Sequence, residues 1–107
     1  MTRPAGVDLP AEHRRILLEI LRVNLPRTAK AWVFGSRAAG RARPYSDLDL
    51  AIDAGRPLTL DQLARLAEAF SESELLYCVD VTDWRSLDDR FRRIIAAERI
   101  ALNDTPP

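Results

Sequence analysis

The residues best suited to chemistry fall in one short stretch. Gly35 and Ser36 follow a run of apolar β-formers, and after ten intervening residues come Asp47 and Asp49, giving G-S-x10-D-x-D. From this chain's own content of glycine, serine and aspartate, such a pattern arises by chance on the order of once in a thousand chains of this length. A glycine-serine turn leaving a strand can aim backbone N–H groups at phosphate oxygens. Carboxylates two residues apart on a strand project from one face, about 7 Å from each other. So placed, Asp47 and Asp49 reach a pair of divalent cations about 4 Å apart, the arrangement used for in-line phosphoryl displacement. Asp80 stands between Val79 and Val81 in a later apolar run. It joins the other two if its strand lies beside theirs. Three acids converging on one face repel one another unless a cation sits between them, which disfavours a merely solvated acidic rim.

The elements that must position these residues are legible as periodicities. Ile16, Leu17, Ile20 and Leu21 recur at helical spacing between Pro10 and about Leu25, and Pro26 closes the segment. Residues 30–35 read as a central strand, apolar on both faces, and 36–46 as a loop broken by Gly40 and Pro44. In 47–53 the alternation puts Leu48, Leu50 and Ile52 on one side and Asp47, Asp49, Ala51 and Asp53 on the other. Thr59 and Gln62 form a capping box, with Leu58 and Leu63 at the spacing of a hydrophobic staple, and the helix they open turns Leu63, Leu66, Ala67 and Phe70 to one face. Residues 75–82 read as a third strand. Ser86 is the expected cap of a last helix through about Glu98, burying Phe91, Ile94 and Ile95, with a weak strand at Ile100–Leu102. This order implies an α/β (α+β two-layer) architecture: two or three helices on one face of a small mixed sheet, the acids on the other.

With those residues in place, the stretch VFGSRAAGRARPYSDLDLAID resembles the signature of minimal nucleotidyltransferases in the DNA polymerase β-like superfamily. FSESELLYCVDVTDW resembles the matching stretch of bacterial members encoded beside a separate helical protein, so the likeness spans roughly residues 10–100. The resemblance implies the polymerase β palm-like fold. It implies that Gly35 and Ser36 hold the nucleoside triphosphate, that Asp47 and Asp49 bind magnesium, and that Asp80 completes the metal site and helps activate the attacking hydroxyl. Arg37, next to the serine, is expected at the phosphates. Two Mg2+ ions and ATP as substrate follow from the same likeness.

Members that act on polymers or antibiotics carry further acceptor-binding domains, for which a 107-residue domain has no room. The resemblance therefore implies an acceptor supplied by a HEPN-type helical protein from an adjacent gene. In one branch that protein is a ribonuclease toxin and receives AMP on a tyrosine, the transferase acting as antitoxin of a type VII-like pair. The expectation is a Mg2+-dependent protein adenylyltransferase in a hetero-oligomer. The alternatives are a binding module that neutralises its partner by occlusion, and transfer to a small molecule or RNA end presented by the partner.

Composition fits this frame without specifying it. One domain is expected over residues 1–107, with its core at about 10–102. Sixteen basic and sixteen acidic side chains cancel, which argues against strong direct binding of nucleic acid. A single cysteine, Cys78, and apolar runs far too short to cross a bilayer favour the cytoplasm over membrane or secretion. Among the remaining residues, Asp53 reads as a turn residue. Arg41 and Arg43 either draw triphosphate or partner toward the site or form a solvated loop. Tyr45 and Trp84 read as packing residues, Cys78 as a small buried filler and His13 as a surface residue.

Overall fold

The structure, a computed structural model, describes residues 9–38 and 46–102. Helix α1 spans Ala11–Asn24. Its start at Pro10 loses nothing to the missing N–H. Leu25, held extended as residues before proline are, ends it. Strands β1 (Lys30–Phe34) and β2 (Leu48–Asp53) follow, then α2 (Leu60–Ser71), β3 (Val79–Asp83), a 3-10 turn at Trp84–Ser86, α3 (Asp89–Glu98) and β4 (Ile100–Ala101). The sheet runs β3-β2-β1-β4, with β2 and β3 parallel and the other pairs antiparallel. It is the mixed sheet expected.

One face of the sheet carries the core. Val33, Leu48, Leu50 and Ile52 are fully buried there against Leu17 and Leu21 of α1 and Leu66 and Phe70 of α2. The capping box of α2 is complete: the Gln62 N–H donates to Thr59 Oγ1 at 3.0 Å, and the Thr59 N–H to Gln62 Oε1 at 2.9 Å. Trp32 and Phe34 alternate with Ala31 and Val33 and so point to the opposite face. There the Trp32 ring lies 5.4 Å from that of Trp84, and the Arg99 guanidinium sits 4.1 Å over Trp32 and 4.7 Å over Trp84. Trp84 is a packing residue, as expected. It carries the 3-10 turn and the end of α3 onto the acid-bearing face.

Four local expectations need correction. β3 begins at Val79, not at residue 75, because the β2 residue paired with Val79 is Leu48, the first of its strand. Residues 75–78 have no strand to lie beside among the described residues, and the chain bends there while still burying Leu75 and Tyr77. Cys78, at the end of that bend, is exposed instead of buried. Ser86 does not cap α3: its hydroxyl donates to Asp83 Oδ2 at 2.6 Å, and Asp88 accepts the Phe91 N–H instead. Of the apolar stripe on α3 only Ile95 is buried, while Phe91 and Ile94 stay 55% and 53% exposed. Periodicity identifies an apolar stripe but not how much of it a small sheet can cover.

Candidate active site

Pairing across the sheet assembles the acids. In the parallel β2–β3 ladder Asp49 lies beside Asp80, and in the antiparallel β1–β2 ladder it lies beside Phe34, the residue before Gly35. Asp47, two residues before Asp49 and exposed, takes the same side of the chain. The glycine-serine turn thus stands at the exit of β1, over Asp49 of the adjacent β2, with Asp80 one strand further out. Val79 and Val81 pack toward the core, leaving Asp80 outward and exposed.

Two features of the backbone fit this crowding. Gly35 has φ +76°, a backbone conformation that residues other than glycine adopt only with strain. A Cβ at that position would also meet the Asp49 carboxylate, with Asp49 Cγ only 3.2 Å away. Here the turn can approach the carboxylate only because the residue is glycine. Ser36 continues the same turn, half-buried.

The electrostatics follow from the geometry. Partial burial, and then the negative charges of Asp80, Asp47 and Glu98, push the Asp49 carboxyl above its ordinary range. Such mutual repulsion is what a bound cation relieves. Among the described residues no three acidic, histidine or cysteine side chains already stand as a closed metal cage. A Mg2+ site does not require one, since that ion keeps waters and takes one or two carboxylates together with substrate phosphates.

Arg37, expected at the phosphates, turns inward. It is only 4% exposed, and its Nε and Nη2 donate to the Ser46 carbonyl at 3.1 and 2.9 Å. Its guanidinium lies 4.0 Å from the centre of the Tyr77 ring. The Tyr77 hydroxyl in turn is hydrogen-bonded to His13 Nδ1 at 2.9 Å. From α1 through Tyr77 and Arg37, this chain of contacts pins the residue immediately before Asp47. Arg37 braces Ser46 from within the fold, and His13 is a half-buried partner instead of a free surface group.

Asp53 is a turn residue, as expected: it accepts the Gly55 N–H at 2.9 Å and pairs with Arg85 Nε at 2.7 Å. Burial opposes its ionisation. The Arg85 and Gly55 hydrogen bonds and the charges of Arg85 and Lys30 outweigh that, holding its carboxyl below the ordinary range. Arg41, Arg43 and Tyr45 lie outside the described residues. One site residue escapes sequence reasoning altogether. Glu98, the last residue of α3, accepts the Gly35 N–H at 3.0 Å. An acid in the last turn of a helix runs against the macrodipole, and that anomaly was the available signal.

The family model described as polymerase beta, nucleotidyltransferase matches residues 17–106. The chain belongs to the polymerase beta nucleotidyltransferase family. Within this family it is 41% identical, over 97% of its length and 90% of the relative's, to a probable protein adenylyltransferase MntA of Haemophilus influenzae. A toxin-antitoxin crystal structure with AMP-PNP superposes with a TM-score of 0.74 at 27% identity, covering 86% of this chain and 73% of that one. A second nucleotidyltransferase structure, an MNT antitoxin complexed with a tri-AMPylated HEPN toxin of Shewanella oneidensis, matches at a TM-score of 0.66 and 25% identity, over 86% and 70%.

Proposed function

We propose that the chain is a Mg2+-dependent adenylyltransferase that moves AMP from ATP to a hydroxyl, a tyrosine by preference, of a HEPN-type helical protein, as antitoxin to that toxin. The observation that carries this reading is the register that sets Asp49 beside Asp80, with Asp49 itself directly under the Gly35 turn. The MntA relative and the AMPylated toxin complex supply the acceptor class. A cytoplasmic hetero-oligomer follows from the same reading; among the described residues no helix is long and apolar enough to cross a membrane.

In the proposed reaction the acceptor oxygen bonds to the α-phosphorus while the bond to the departing pyrophosphate breaks. Gly35 and Ser36 present backbone N–H groups to the triphosphate and fix its orientation. Asp47, Asp49 and Asp80 would hold the ions. Asp80, on the outer strand, takes the acceptor's proton as the new bond forms. When bound, Mg2+ stabilises charge on the attacking and leaving oxygens. No covalent enzyme intermediate is needed. The fit of the ions rests on the donor set: hard carboxylate oxygens, mutually repelling, beside a phosphate-binding turn.

The test uses ATP labelled at one phosphate at a time, with Mg2+ and the product of the adjacent gene. Label at the α-phosphate should move to the partner, and label at the γ-phosphate should leave with pyrophosphate. Transfer of γ-label, or of neither, overturns the proposal.

A further inference from the structure

The Gly35 N–H is one of the donors that a triphosphate needs, yet it already has an acceptor. Glu98 Oε1 lies 3.0 Å from it, from a residue sixty-three positions away in sequence. Local structure does not account for the acid. It stands at the negative end of α3, where a cation would be favoured, and no basic residue occupies that last turn. Among the described residues it has no ion pair, and the neighbouring Arg99 is stacked on Trp32 and Trp84. Its charge also adds to the repulsion on Asp49. A carboxylate that costs its helix and repels Asp49, yet ends on the cradle's amide, breaks local rules in the way that functional positions do.

We propose that Glu98 is a built-in occupant of the triphosphate cradle, a specificity-determining residue that an incoming Mg2+-nucleotide must displace from the Gly35 N–H. This rests on the nucleotidyltransferase reading and adds a regulation of the same site. A phosphate oxygen and the Glu98 carboxylate are both anionic acceptors and compete for one N–H. The carboxylate keeps the amide satisfied when no nucleotide is bound. It also sets a threshold that a metal-free nucleotide does not overcome, because its own negative charge goes uncompensated beside the carboxylates.

The test compares wild type with Glu98→Gln and Glu98→Ala in complex with the partner protein, measuring MgATP affinity by calorimetry and KM and kcat for AMP transfer. The amide of glutamine is a weaker, neutral competitor, and alanine removes the competitor. Affinity should rise about threefold for Glu98→Gln and about tenfold for Glu98→Ala, with KM falling in step and kcat held within about twofold. A merely structural role would not lower KM. Unchanged affinity in both variants would sink the proposal. So would weaker binding with a fall in kcat, which would make Glu98 part of the metal-holding set. If neither wild type nor variants bind MgATP, the adenylyltransferase reading fails and this inference falls with it; wild-type binding without the gain in the variants refutes this inference alone.

Discussion

The two left-handed glycines offer a controlled pair of perturbations. Gly35 has φ +76° and Gly55 φ +87°, so alanine at either position carries the same backbone strain, about 1–2 kcal/mol. For a domain of this size that lowers Tm by roughly 5–15 °C in each variant. Their surroundings differ. A Cβ on Gly55 meets nothing within 4 Å, whereas one on Gly35 would press on the Asp49 side chain, 3.2 Å from Cγ and 3.5 Å from Cβ. Asp49 must swing aside by about 1 Å, and a misplacement of that size at a reacting centre costs on the order of a hundredfold in rate. Gly55→Ala should therefore lose stability but keep AMP transfer within about twofold, measured well below its Tm. Gly35→Ala should lose comparable stability and about a hundredfold in rate. A Gly35→Ala protein that keeps more than about a tenth of wild-type activity, or a Gly55→Ala protein equally inactive, would refute the reasoning.

Further expectations follow from single contacts. Arg37→Ala strips two hydrogen bonds from the Ser46 carbonyl and the stacking on Tyr77, and should cost about 2–3 kcal/mol by denaturant titration. Arg37→Lys should recover little of it, since an ammonium cannot reproduce the planar fork. For Asp49, whose carboxyl is raised by folding, the folded chain binds the proton more tightly than the unfolded one, so stability falls as pH rises through the carboxylate range. Without metal, Asp49→Asn should thus raise Tm at pH 7, a gain that shrinks in acid, and with Mg2+ it should abolish transfer. Asp53 has the opposite sign: its lowered carboxyl stabilises the fold above the ordinary range and loses that effect as pH falls through its folded value. Asp53→Asn should lower Tm at pH 7 and converge on wild type in acid. An absence of that convergence in paired melts would assign the loss to packing instead.

Much of the site was legible because its signals are local. Leu48, Leu50 and Ile52 alternate with the acids, and in the fold they are fully buried on the opposite side. The Thr59–Gln62 box formed as written. Asp80 was conditional, since period alone does not say which strands pair; the parallel register resolves it. For Arg37, chain adjacency to a phosphate turn does not reveal that Tyr77, forty residues on, draws the guanidinium inward. Ser86 loses the cap to Asp88 for a nearer reason, the pull of Asp83, three residues back, on its hydroxyl. Glu98 reaches Gly35 only through the tertiary path of α3.

The central claim is that the carboxylates under the Gly35 turn perform transfer and do not merely survive in a binding module. The most direct measurement is the intact mass of both chains after purified protein, its helical partner, ATP and Mg2+ are incubated together, with wild type beside Asp49→Asn. The account predicts mass gains on the partner in steps of one AMP with wild type, and none with Asp49→Asn although the complex still forms. A stable wild-type complex that adds no mass with any nucleoside triphosphate would contradict it and leave occlusion as the means of neutralisation.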